Sequence, residues 1–169
     1  EITCNRQWFY SDTTHNSVDM VLAVNGIPVF AFELKNQFTG QTVENAKQQW
    51  MHDRDPREVC FQFNKRILGY FCVDLTEVWM ATRLAGKDTR FLPFNQGSNG
   101  AGRDGGAGNP PNPNGYLTAY LWEEVFQKDS MMDILQKFMS LQEGKTLIFP
   151  RYHQLDVVRK LVADVRQKG

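Results

Sequence analysis

Three polar side chains interrupt a pair of otherwise apolar segments near the start of the chain. Asp19 stands within Ser17–Val24, and Glu33 and Lys35 close the run Ile27–Lys35. An isolated carboxylate is costly to bury in an apolar strand, so Asp19 needs a partner. Glu33 and Lys35 are two residues apart and on a strand share one face. Gln48 and Gln49 follow on a helical stretch near enough in sequence to lean over that face. Such a set suits phosphodiester hydrolysis. Asp19 and Glu33 can bring a hard divalent cation, Mg²⁺, to the scissile phosphate, neutralising charge and acidifying water. The Lys35 ammonium can hold the attacking water and add positive charge near the pentavalent phosphorus. The backbone carbonyl of Leu34 offers a further oxygen. The bland reading of the same residues is a solvated strand edge.

These groups meet only if the strands place them on one side. Asn25-Gly26 is a hairpin signal between two runs rich in Val, Ile and Phe. A regular two-residue turn sets Asp19 across from Phe32 and sends Glu33 to the opposite face. A three-residue loop, Val24–Gly26 with Gly26 as a G1 bulge, sets Asp19 across from Ala31 and diagonal to Glu33. Pro28, which donates nothing to a ladder, also favours irregular pairing. A bulge or local kink is therefore expected. Thr42 can cap a helix over Val43–Asp53 with Val43, Ala46 and Trp50 inward, ending before Pro56. An extended Ile2–Tyr10 precedes the hairpin. Val59–Phe63, Ile67–Val73 and Val78–Leu84 are further strand candidates, giving a mixed sheet with a helical crossover. Asn95–Gly115 is a Gly/Asn/Pro-rich surface loop without a phosphate-loop signature. Helices are expected over Thr118–Gln127 and over Met131–Leu141, the second with Ser130 and Asp133 as a capping box. Arg151–Gly169 carries Leu155, Val158, Leu161, Val162 and Val165 at helical spacing. That stripe is expected to pack on sequence outside this chain, which reads as a piece of a longer protein.

Composition excludes several classes. Nineteen Lys+Arg balance nineteen Asp+Glu, so any polyanion site must be local. Hydrophobic residues are 41% of the chain and charged residues 22%, as in a globular core, which excludes wholesale disorder. Apolar runs are short, so no membrane span is expected. Cys4, Cys60 and Cys72 are too far apart for a zinc pattern and read as reduced, cytoplasmic thiols. His15, His52 and His153 are isolated, and His153 reads as structural. Lys47, Arg54, Arg57, Lys65 and Arg66, together with Arg83 and Lys87 beside Gly86, are candidate phosphate contacts; a solvated charged face is the alternative. The four tryptophans read as core.

The segment S-V-D-M-V-L-A-V-N-G-I-P-V-F-A-F-E-L-K-N resembles the PD-(D/E)xK nuclease motif. More narrowly, the chain resembles the restriction (motor) subunit of type I restriction–modification systems. The likeness continues through T-V-E-N-A-K-Q-Q-W-M-H-D-R-D-P-R-E, T-R-L-A-G-K-D-T-R-F-L-P-F-N, G-A-G-N-P-P-N-P-N-G-Y-L-T-A-Y-L-W-E-E-V and F-P-R-Y-H-Q-L-D-V-V-R-K-L. The resemblance implies metal roles for Asp19 and Glu33, a catalytic role for Lys35, and for Gln49 or Gln48 that of the helix glutamine. A tyrosine that often follows four residues later is replaced here by His52 and Asp53. It also implies that Gln154, in R-Y-H-Q, contacts the adenine of ATP in a superfamily 2 helicase-like translocase.

The expected fold is α/β: a mixed β-sheet flanked by helices, restriction-endonuclease-like. Residues 1–94 are expected to form the nuclease core, 95–115 the loop, 116–145 a helical part or linker, and 146–169 the truncated start of the translocase domain. The resemblance implies a Mg²⁺-dependent endonuclease acting on double-stranded DNA after ATP-driven translocation. Its implied partners are the modification (methyltransferase) and specificity subunits, in the cytoplasm. The rival reading is a non-catalytic DNA-binding or subunit-docking module of the same assembly.

Overall fold

A computed structural model describes residues 1–168. Strands β1 (Ile2–Phe9), β2 (Ser17–Val24) and β3 (Ile27–Leu34) form an antiparallel meander. Helix α1 (Val43–Gln48) passes directly into a π-helical turn, Gln49–Asp53, and the chain then crosses to β4 (Gly69–Val73), parallel to β3. β5 (Val78–Ala81) and the short β6 (Leu92–Pro93) extend the sheet antiparallel, giving the order β1-β2-β3-β4-β5-β6. Helix α2 (Lys128–Asp133) lies between π-helical turns at Leu121–Val125 and Ile134–Phe138. The hairpin of β7 (Ser140–Gln142) and β8 (Thr146–Ile148) then leads into α3 (Tyr152–Lys168). The fold is the expected mixed α/β sheet with flanking helices, consistent with a restriction-endonuclease-like architecture.

Both faces of the central strands are covered, and side chains sort onto them by alternation. Val21, Ala31, Tyr70 and Cys72 pack against Val43, Ala46, Trp50, Phe61 and Ile67. Met20, Phe30, Phe32 and Phe71 face the other way, against Leu121, Val125, Met131, Ile134, Phe149, Tyr152 and Leu155. That second layer is heavily aromatic: Phe149 stands edge-on to Phe30 and to Phe71, and Tyr152 edge-on to Phe94. The three expected inward residues, Val43 and Ala46 of α1 and Trp50 of the π-helical turn, are buried, and the Trp50 indole N–H donates to the Phe71 carbonyl at 3.1 Å.

Several sequence expectations change. Val59–Phe63 is a series of turns closed by local bonds from Phe61 and Gln62 to the Glu58 carbonyl, because β2 and β4 already occupy both edges of β3. β4 starts at Gly69, and β5 stops at Ala81. Ser130 caps nothing: α2 begins at Lys128, and the Ser130 hydroxyl donates back to the Val125 carbonyl at 2.7 Å. Leu141 leaves the helix for an exposed strand. The loop Asn95–Gly115 is irregular as expected. It is tied to β5 where Asn95 Oδ1 accepts from the Val78 N–H, and Asn109 donates to Asn95 and to the Thr76 carbonyl.

Position of α1 depends on one buried carboxylate. Thr42 and Asn45 form a reciprocal capping box. Asp74, after β4, accepts from the Val43 N–H, the Thr76 N–H and hydroxyl, and the Glu77 N–H. Asp74→Ala orphans these donors and should lower stability by about 3 kcal/mol in urea unfolding. A loss below about 1 kcal/mol would show that water replaces the carboxylate freely.

Candidate functional site

The β2–β3 hairpin is irregular, though not in the expected way. Its turn has two residues, Asn25 (φ 50°) and Gly26 (φ 81°), the left-handed pair that a type I′ turn requires. The extra residue sits in β3: Ala23 pairs with Pro28 and Leu22 with Phe30, so Val29 is the bulge. Beyond it Val21 faces Ala31 and Met20 faces Phe32. The ladder ends there, and the same register carried one step further brings Asp19 beside Glu33, whose carboxyl feels its charge. The three-residue loop and the Asp19–Ala31 pairing are therefore replaced by a closer arrangement, with both carboxylates on the α1 face.

Asp19 is half-buried, and its Oδ2 accepts from the Leu34 N–H at 2.8 Å. Glu33 is wholly buried, at 0% exposure. Its Oε1 accepts two bonds from Arg54, from Nε at 3.0 Å and from Nη2 at 2.7 Å. Its Oε2 is buried without a hydrogen-bond partner. Burial pushes the Glu33 carboxyl up to about 7; the Arg54 charge opposes this, and the neighbouring Asp19 charge adds to it.

Lys35 follows β3 on the same face. Its backbone N–H is held by the Val73 carbonyl, and its ammonium donates to Gln49 Oε1 at 2.5 Å. Of the two candidate glutamines it is thus Gln49 that reaches Lys35, while Gln48 is exposed. Both line a shallow polar cleft with Lys35, Gln41, Asn45, His52 and Asp53. Asp19 and Glu33 meet as one pair and Lys35 and Gln49 as another, both at the same end of β3. Gln154 is not among them: it belongs to α3, which packs on the opposite face, and its Oε1 accepts the Arg151 N–H at 2.9 Å.

The basic residues divide. Arg54, expected as a phosphate contact or surface charge, is neither, because it is buried on Glu33. Lys47 lies over the Trp79 ring and pairs with Glu44, and exposed Arg57 pairs with Asp55. Arg83 lies over Phe63, and Gly86 turns towards Met51 of the protein itself. Lys65, Arg66 and Lys87 are exposed, as is His153, which packs into no core. Cys60 and Cys72 are buried thiols. Arg54 is the site residue that the sequence reading missed. Its signal was indirect: a glutamate inside F-A-F-E-L demands a cation from elsewhere in the chain.

Residues 1–97 match the family model described as type I restriction enzyme R protein N terminus. The chain belongs to that family. The match spans β1 to β6 and includes Asp19, Glu33, Lys35, Gln49 and Arg54; Gln154 lies beyond it. No curated protein and no solved structure matches the chain. Among the described residues, no helix of this R-protein domain is long and apolar enough to cross a membrane.

Glu33 gives the domain a testable pH dependence. A carboxyl that holds its proton more tightly folded than unfolded adds stability at low pH. That contribution is lost as pH rises through the folded value, here about 7. The metal-free protein should lose about 1 kcal/mol between pH 6 and pH 8 in urea unfolding. Glu33→Gln should flatten this slope, and an unchanged slope in that variant would assign the effect elsewhere.

Proposed function

We propose that this chain is the DNA-cleaving domain of a type I restriction R subunit, hydrolysing phosphodiester bonds with Mg²⁺ held by Asp19 and Glu33. The reading is carried by Glu33 Oε2, a buried carboxylate oxygen without a hydrogen-bond partner, beside a second carboxylate. That oxygen is costly to leave charged in a protein interior without a donor, and burial beside Asp19 favours a protonated carboxyl instead. A hard cation shared between two carboxylates satisfies it, and the all-oxygen donor set suits Mg²⁺. When bound, the ion supplies Lewis acidity towards the phosphate and acidifies a water molecule. Lys35 carries the rest: its ammonium, held by Gln49, positions the attacking water and offsets charge on the phosphate oxygens. Asp19, fixed by the Leu34 N–H, keeps its second oxygen for the ion.

The same reading takes residues 1–94 as the nuclease core, 95–115 as its loop and 116–145 as its helical part. It takes 146–169 as the start of a helicase-like translocase, with Gln154 as the adenine contact for ATP, while Phe149, Tyr152 and Leu155 of that stretch anchor it in the core of this domain. Double-stranded DNA is then the substrate, cut in the cytoplasm after ATP-driven translocation. The modification and specificity subunits choose where. A docking module has its own support: Val157, Val158, Leu161, Val162 and Val165 lie exposed along α3.

Calorimetric titration of this chain with Mn²⁺ separates the two readings. The nuclease reading expects saturable binding that Asp19→Asn and Glu33→Gln each abolish. In the assembled enzyme, Lys35→Ala should cut DNA cleavage by about 10²-fold or more while ATP-driven translocation persists. A folded chain that takes up no Mn²⁺ would leave the docking role.

A further inference from the structure

The π-helical turn Gln49–Asp53 delivers two side chains to the site. Gln49, at its start, meets Lys35; Arg54, immediately after it, meets Glu33. Insertions of this type recur at functional sites because they realign the residues that follow. Arg54 is 6% exposed and held from several sides. Nη2 donates to the Ser17 carbonyl at 2.9 Å, Nη1 to the Asp53 carbonyl at 3.4 Å, and the guanidinium lies over the Tyr10 ring with its carbon 5.7 Å from the centroid. With those anchors in place, Nε and Nη2 both donate to one oxygen of Glu33, Oε1, and neither reaches Oε2.

A free carboxylate rotates about its last bond and offers either oxygen. A guanidinium pinned by two backbone carbonyls and donating twice to one oxygen removes that freedom. We infer that Arg54 is the positioning residue of the metal site: it fixes Glu33 through Oε1 so that Oε2 is the oxygen presented, beside Asp19, to a divalent ion. This inference rests on the nuclease reading above. It assigns a role to a residue in the D-R-D-P turn whose sequence context suggests a phosphate contact or a surface charge.

Electrostatics alone and positioning predict opposite signs. Deleting a buried positive charge should tighten binding of a divalent cation if Arg54 merely repels it. Binding should weaken if Arg54 orients the ligand, and outer-shell partners of metal ligands are typically worth 10- to 100-fold in affinity. Mn²⁺ titration of the chain and of Arg54→Met and Arg54→Lys, each checked for folding by thermal unfolding, reads the sign. The expected result is at least a tenfold loss of affinity in Arg54→Met and a smaller loss in Arg54→Lys, which keeps the charge but not the paired donors. Unchanged or tighter binding in a folded variant would overturn the inference. Should neither variant fold, the wild-type chain decides by NMR. The Arg54 Nε–H resonance should stay protected from water exchange with and without Mg²⁺, whereas release of that proton on Mg²⁺ addition would refute the assignment. Absence of Mn²⁺ binding in the wild-type chain would instead remove the metal reading itself.

Discussion

Side chains on a strand alternate between faces, so a register difference of one residue decides whether two carboxylates on neighbouring strands meet or point apart. In the β2–β3 hairpin the turn by itself would set Asp19 against Phe32. Val29, the additional residue in β3, moves the pairing beyond it by one step and puts Glu33 on the side of Asp19. The Asp19–Leu34 bond, the Lys35–Gln49 contact and the Glu33–Arg54 pair all lie on the far side of that irregularity. Pro28, adjacent to the bulge and unable to donate to the ladder, costs little where the ladder is already broken.

Bringing Glu33 there creates an electrostatic problem that the surrounding structure only partly solves. Both faces of the central strands are packed, so the carboxylate sits without water beside another acid. Arg54 answers for one oxygen only; burial, and to a lesser degree Asp19's charge, make the carboxyl hold its proton tightly. Natural interiors seldom leave such a group unsatisfied. Glu33 lies at the end of β3, two residues before Lys35, which with Gln49 lines an open polar cleft.

Much of this arrangement is legible in the sequence because it is local. Asn25-Gly26 between β-branched runs dictates a type I′ turn, and Val43, Ala46 and Trp50 mark the inner face of α1 and the π-helical turn that continues it. The E-x-K spacing puts Glu33 and Lys35 on one face whatever else happens. The place of the bulge is less legible, since a bulge at Gly26 and one at Val29 both suit the local residues and only packing chooses between them. Arg54 is illegible for a similar reason: its partner lies 21 residues away, and a basic residue beside Pro56 looks like surface. Val59–Phe63 shows the converse. Cys60 and Phe61 are indeed buried, but with the neighbouring edges occupied they enter the core from turns, and Val59 stays exposed.

The aromatic layer on the opposite face ties together parts of the chain that the family match separates. Phe149 and Tyr152, well beyond residue 97, stand edge-on to Phe30, Phe71 and Phe94, all within the matched stretch. The packed core is therefore longer than the region that sequence kinship delineates. A truncation at residue 97 would strip one side of the sheet and leave Phe30, Phe32 and Phe71 facing solvent, a surface prone to aggregate.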